Sequence, residues 1–68
     1  MGKLKVTING KETEIAENFT ITNLLEDLKV TGSMFVVEKN LEIVPKENFH
    51  VKINDGDKLE IVGFFGGG

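Results

Sequence analysis

The sequence predicts an α+β fold in which a mixed sheet of four to five strands packs on one main helix. Three observations point there. Apolar residues alternate with polar ones at both ends of the chain, through Leu4, Val6 and Ile8 and again through Leu59 and Ile61, which is the period of strands with one buried face. Between them Ile21, Leu24, Leu25 and Leu28 fall at helical spacing. With 68 residues there is room for a single core. Residues 1–65 are read as one domain, and 66–68 as a flexible glycine tail.

Each element follows from its local residues. The first strand ends at Asn9-Gly10, a pair suited to a type I′ turn because both central positions need positive φ. That turn predicts a second strand over Lys11 to Ile15, antiparallel to the first. Thr20 is the expected N-cap of a helix of two to three turns, with Lys29 near its C-terminal end and Gly32 as its stop. Met34 to Val37 is a continuous apolar run that reads as a well-covered strand. Pro45 breaks the chain, and Phe49, Val51 and Ile53 then resume alternation as a further strand-like segment. Asp55-Gly56-Asp57 makes a turn, and a last strand runs from Lys58 to about Phe64. With one helix on one face of such a sheet, the β-grasp or ubiquitin-like roll is the most economical arrangement.

Composition narrows the function classes. The net charge is -3 and all eight basic residues are lysines, so the chain lacks the arginine and lysine stripe that displaces counterions from a nucleic acid. Its negative surface suits a basic patch on a protein partner. No apolar run approaches the roughly 20 residues that cross a bilayer. Met1-Gly2 opens like a myristoylation signal, but Val6 stands where that signal needs Ser or Thr. No secretory signal is visible, so the expected compartment is the cytoplasm. There is no cysteine, hence no disulfide, no thiolate nucleophile and no thiolate metal ligand.

The functional signal lies at the C-terminus. Gly66-Gly67-Gly68 follows a hydrophobic strand and ends in an α-carboxylate, which is ionised at neutral pH and a poor electrophile until an enzyme activates it. Three extended residues span roughly 10 Å, enough to enter a narrow cleft without side-chain bulk. On the last strand Leu59 and Ile61 face inward, whereas Lys58, Glu60, Val62 and Phe64 face outward. The outer face therefore turns apolar towards the tail, which marks Val62 and Phe64 as partner-docking residues or as a cover for the end of the core. Phe65 has inward parity but stands at the exit, and is grouped with the docking residues.

Leu59-Glu60-Ile61-Val62-Gly63-Phe64-Phe65-Gly66-Gly67-Gly68 resembles the end of the ubiquitin-like sulfur carriers of thiamine biosynthesis, the ThiS family. Asn9-Gly10-Lys11, Thr20 to Leu28, Val36-Val37-Glu38-Lys39-Asn40 and Ile43-Val44-Pro45-Lys46 extend the resemblance over nearly the whole chain. Departures are Phe65, bulkier than the family pattern, and the small Gly63. The resemblance implies that an E1-like adenylating enzyme, using ATP and magnesium, converts the Gly68 carboxylate to an acyl adenylate. Sulfur from a cysteine desulfurase or similar donor then gives a thiocarboxylate, which thiazole synthase consumes. The chain itself would be a co-substrate rather than an enzyme, since it carries no phosphate-binding loop, cysteine or arginine. It would bind no cofactor or metal, nucleic acid or membrane. Other readings of the same tail are a sulfur carrier for molybdopterin or tRNA thiolation, a covalent protein modifier, and a non-covalent β-grasp binding module.

Four further features are read as structural. His50 belongs on the solvent side of its segment. Asp55-Gly56-Asp57 lacks the additional acidic ligands of a calcium loop. Glu12, Glu14 and Glu17 form a charged edge that discourages sheet-to-sheet association, and Glu26 and Asp27 face away from the leucines.

Overall fold

A computed structural model describes residues 2–30, 32 and 34–63. Among them five strands form one mixed sheet in the order β2-β1-β5-β3-β4. The first hairpin comprises β1 (Lys3–Ile8) and β2 (Lys11–Ala16), paired in register from Lys3 opposite Ala16 to Ile8 opposite Lys11. Asn9 and Gly10 between them take φ of 51° and 83°, the geometry a type I′ turn requires. β2 is an edge strand, and Glu12 and Glu14 lie on its solvated side.

Helix α1 (Ile21–Asp27) starts at the expected cap. The Thr20 hydroxyl accepts from the Asn23 amide at 3.1 Å, while the Asn23 side chain accepts from the Thr20 amide at 3.0 Å, so two otherwise unpaired donors are satisfied reciprocally. Its end departs from expectation. Lys29, at φ 61°, takes the left-handed position after the C-cap Leu28, in place of Gly32. The Val30 amide bonds the Leu25 carbonyl and the Lys29 amide bonds the Glu26 carbonyl, a Schellman closure that turns the chain away one residue too early for Leu28 to complete the apolar stripe. Leu28 is accordingly 44% exposed, whereas Ile21, Leu24 and Leu25 are buried.

The second half differs from the sequence reading in two places. Strand β3 is Phe35–Lys39, and only one face of the apolar run is covered: Val37 is buried and Phe35 partly so, while Met34 and Val36 are exposed. The strand after β3 is β4 (Glu42–Val44), not Phe49 to Ile53. β3 and β4 join through Asn40 and Leu41 at φ 52° and 74°, a type I′-like turn without glycine. Residues 49–53 follow a short 3-10 turn (Lys46–Asn48) and direct their hydrogen bonds to the helix start: the Thr22 amide to the Phe49 carbonyl, and the Ile53 amide to the Phe19 carbonyl at 2.8 Å. With those groups committed, only an isolated bridge between Thr20 and Lys52 resembles a strand. Phe49 and Ile53 still pack into the core.

Strand β5 (Lys58–Gly63) enters the middle of the sheet, parallel to β1 and antiparallel to β3. Together with α1 packed on one face, this is a β-grasp roll. The core joins Val6, Ile8 and Ile15 of the first hairpin to Ile21, Leu24 and Leu25 of the helix and to Val37, Ile53, Leu59 and Ile61. Burial of one such aliphatic side chain contributes about 1.5–3 kcal/mol.

The helix-end geometry separates two leucines of the same predicted stripe. Leu24→Ala should destabilise the chain by about 2–5 kcal/mol in urea unfolding. Leu28→Ala should cost no more than about 1 kcal/mol, because much of that side chain already meets water. Equal losses at the two positions would contradict this account of the helix end.

Candidate functional site

The site begins with how β5 is held. Leu59 is fully buried and Ile61 nearly so, which fixes the strand's parity and leaves Lys58 and Val62 outside. Side chains from two loops then fasten its backbone, and a third loop holds one of them. Asn9 accepts a hydrogen bond from the Ile61 amide at 2.8 Å and donates its own amide to the Leu59 carbonyl at 2.9 Å. Asn40 accepts from the Lys58 amide at 3.0 Å and gives its side-chain amide to Asp57. Asp57 is the buried carboxylate of the described residues; its second oxygen accepts the Asn54 amide at 2.9 Å. Asp55 accepts the Lys5 amide, and the Gly56 amide bonds the Lys5 carbonyl, so the Asp55-Gly56-Asp57 turn is stitched to β1. Both aspartates thus serve the turn, as their spacing suggested.

Val62, one of the predicted docking residues, is 53% exposed. The register places Val36 of β3 directly opposite it, and directly opposed residues share a face of the sheet. Val36 is itself 44% exposed. Next along the ladder Glu38 stands opposite Glu60, and Ile43 of β4 stands opposite Glu38 with 66% of its surface open. The outer face therefore carries Val62, Val36 and Ile43 beside a pair of carboxylates. Like charges directly opposed across a ladder are unfavourable in isolation, and a cationic group on a partner would relieve them. The sequence reading did not include Val36 in this face because it took Met34 to Val37 as a well-covered strand, and did not include Ile43 because it placed no strand at Glu42–Val44. The signal was the parity of Val36, which must point outward once Val37 is buried.

At the end of the strand Gly63 lies opposite Phe35. The Phe35 ring stacks on Phe49 with centroids 6.3 Å apart and planes at 21°, and the Lys46 ammonium sits 6.0 Å from the Phe35 ring centroid. Packed side chains thus hold the β3 side of the point where the chain departs. The predicted Phe64 and Phe65, with Gly66, Gly67 and Gly68, lie outside the described residues. His50 is exposed, as expected.

Comparison with known proteins identifies this architecture. The ThiS family model matches residues 5–68. The chain belongs to the ThiS family. It is 40% identical over 63 residues to the sulfur carrier protein ThiS of Bacillus subtilis, covering 90% of this chain and 96% of that one. The crystal structure of the thiamine biosynthesis protein ThiS from Geobacter metallireducens superposes with a TM-score of 0.78 at 38% identity, over 96% of this chain and all of the other. A thiazole synthase of Paramagnetospirillum magneticum is 50% identical over 66 residues, 96% of this chain. The chain spans only about a fifth of that protein's length, 20%.

The clasp around β5 is testable by stability. Asp57→Ala leaves the Asn54 amide and the Asn40 side chain without their acceptor, and should cost about 1–3 kcal/mol in urea unfolding. A neutral result would show that water replaces the carboxylate without loss.

Proposed function

We infer that this chain is a sulfur carrier of thiamine biosynthesis and that the sulfur travels on the Gly68 carboxylate. The observation that carries the reading is the family match through residue 68, which includes the terminal glycines. Its chemistry follows from the properties of a carboxylate. An oxygen of the Gly68 carboxylate attacks the α-phosphorus of ATP on an adenylating enzyme and displaces pyrophosphate, giving an acyl adenylate. A persulfide sulfur attacks the acyl carbon and expels AMP. A thiol then cleaves the remaining S–S bond, becoming part of a disulfide and leaving a thiocarboxylate on Gly68.

The chain supplies position and its partners supply catalysis. ATP and magnesium belong to the adenylating enzyme; the chain, without cysteine or arginine, holds neither the phosphates nor the sulfur donor. Val62, Val36 and Ile43, with the Glu38–Glu60 pair, form the docking face, and Phe64 and Phe65, which follow in sequence, are assigned the same role. A partner that fits has an apolar depression flanked by basic groups. Thiazole synthase is the acceptor, a reading supported by the resemblance of this chain to part of a thiazole synthase polypeptide. Among the described residues no helix is long and apolar enough to cross a membrane, and the cytoplasm is the compartment this role implies.

Incubation with ATP, magnesium, an adenylating enzyme and a persulfide donor, followed by intact-mass analysis, tests the reading. The wild-type chain should gain the mass of sulfur replacing one oxygen, localised to Gly68 by fragmentation, and a chain lacking Gly68 should gain none. Loading of the truncated chain, or no adenylate on the intact one with an active enzyme, would overturn it. In the same assay Val62→Glu should raise the KM for the carrier by about tenfold, typical of losing one central interface anchor, with urea stability changed by no more than about 0.5 kcal/mol.

A further inference from the structure

Gly63 is the last described residue of β5, and its backbone is unlike the rest of the strand. Its φ is 149°, a region essentially reserved for glycine. A side chain at this position would meet backbone: its Cβ would lie 2.3 Å from the Met34 carbonyl oxygen and 2.5 Å from the Phe35 Cα, with the Phe35 Cβ at 2.8 Å. These contacts identify the cause. In an ordinary strand the side chain leaves perpendicular to the sheet, but the positive φ turns the L-side-chain position into the sheet plane, against β3. The colliding Met34 oxygen and Phe35 Cα cannot rotate aside as the tip of a flexible side chain would. On the β3 side, the Phe49 stack and the Lys46 cation hold the Phe35 ring in place.

We propose that Gly63 is a positioning residue that sets the direction in which the chain leaves the sheet towards Gly68, and so presents the carboxylate to the adenylating enzyme. The inference rests on the sulfur-carrier reading for its functional consequence. Its physical basis is independent. An L-residue at 63 must either prise the end of β5 from β3 or return to a negative φ, and both re-aim every peptide that follows. Val62, Val36 and Ile43 lie upstream of this point and only Phe64 and Phe65 lie beyond it, so a change at Gly63 should spare the affinity that the upstream face supplies and fall more heavily on the rate within the complex.

The test uses two chains made by total synthesis, carrying L-alanine or D-alanine at position 63, with the adenylating enzyme, ATP and magnesium. Gly63→Ala should fold and lose about ten- to a hundredfold in kcat for adenylate formation, the scale of a misplacement near 1 Å, with a smaller change in KM. D-alanine accepts positive φ and puts its methyl where the glycine's other hydrogen stood, not in the L position that meets Met34 and Phe35, so its kcat should stay within about twofold of wild type. A structural readout accompanies the kinetics. The Met34 and Phe35 amide resonances should move in the L-alanine chain and hold their positions in the D-alanine chain. Wild-type kcat for the L-variant, or equal impairment of both variants, overturns the inference while leaving the carrier reading intact. A wild-type chain that is never adenylated overturns the carrier reading. In that case unmoved Met34 and Phe35 amides in the L-variant overturn the positional claim as well, and moved ones support it.

Discussion

The structure depends on one placement, the last strand of the chain inserted between the first and third. β5 pairs with β1 on one side and β3 on the other, so neither hairpin completes the sheet without it. Leu59 and Ile61 close the core beneath it, and Asn40 and Asn9 bind its entry and middle by side-chain hydrogen bonds, with Asp57 accepting from the Asn40 side chain. The parallel ladder with β1 is short, with Thr7 opposite Lys58 and Ile8 opposite Leu59, which explains why loops reinforce it. A strand at the sheet's edge could fray without unfolding the domain. A central one cannot, and it is the strand that leads in sequence to Gly68, the proposed site of sulfur loading.

From this placement comes a division of labour between the two faces of β5. Its inner side is spent on stability, where Leu59 contacts the same core as the helix. Its outer side, through Glu60 and Val62, contributes nothing to that core and is free to serve recognition. The neighbouring strands continue the pattern, since Val36 and Glu38 repeat on β3 the apolar-then-acidic order of Val62 and Glu60. The apolar end of this face lies towards Gly63, so a partner seated on it is already beside the point where the tail begins. On the proposed reading, docking and delivery are joined by position along a single strand.

Much of this was legible in the sequence because the informative signals were local. Asn9-Gly10, Thr20 with the Ile21-Leu24-Leu25 stripe, and the alternation of Leu59 and Ile61 each act within a few residues, and each appears in the structure as read. The failures share a physical origin in competition for backbone hydrogen bonds. Phe49 to Ile53 alternates like a strand, but the helix start and Phe19 take its donors and acceptors. Lys29, a residue with no special turn propensity, captured the left-handed helix end ahead of Gly32. The Asn40-Leu41 turn lacked glycine and so concealed β4. The exposed apolar face was half visible: parity exposed Val62, but the strand register that sets Val36 and the Glu38–Glu60 pair beside it is a long-range property.

Native-state hydrogen exchange of β5 tests the central claim most directly. If the strand is clamped from both sides, the Ile61 amide, bonded to Asn9, should exchange only through global unfolding, with a urea dependence equal to that of equilibrium unfolding. Exchange of that amide through a low-energy local opening, while β1 and β3 stay protected, would contradict the account.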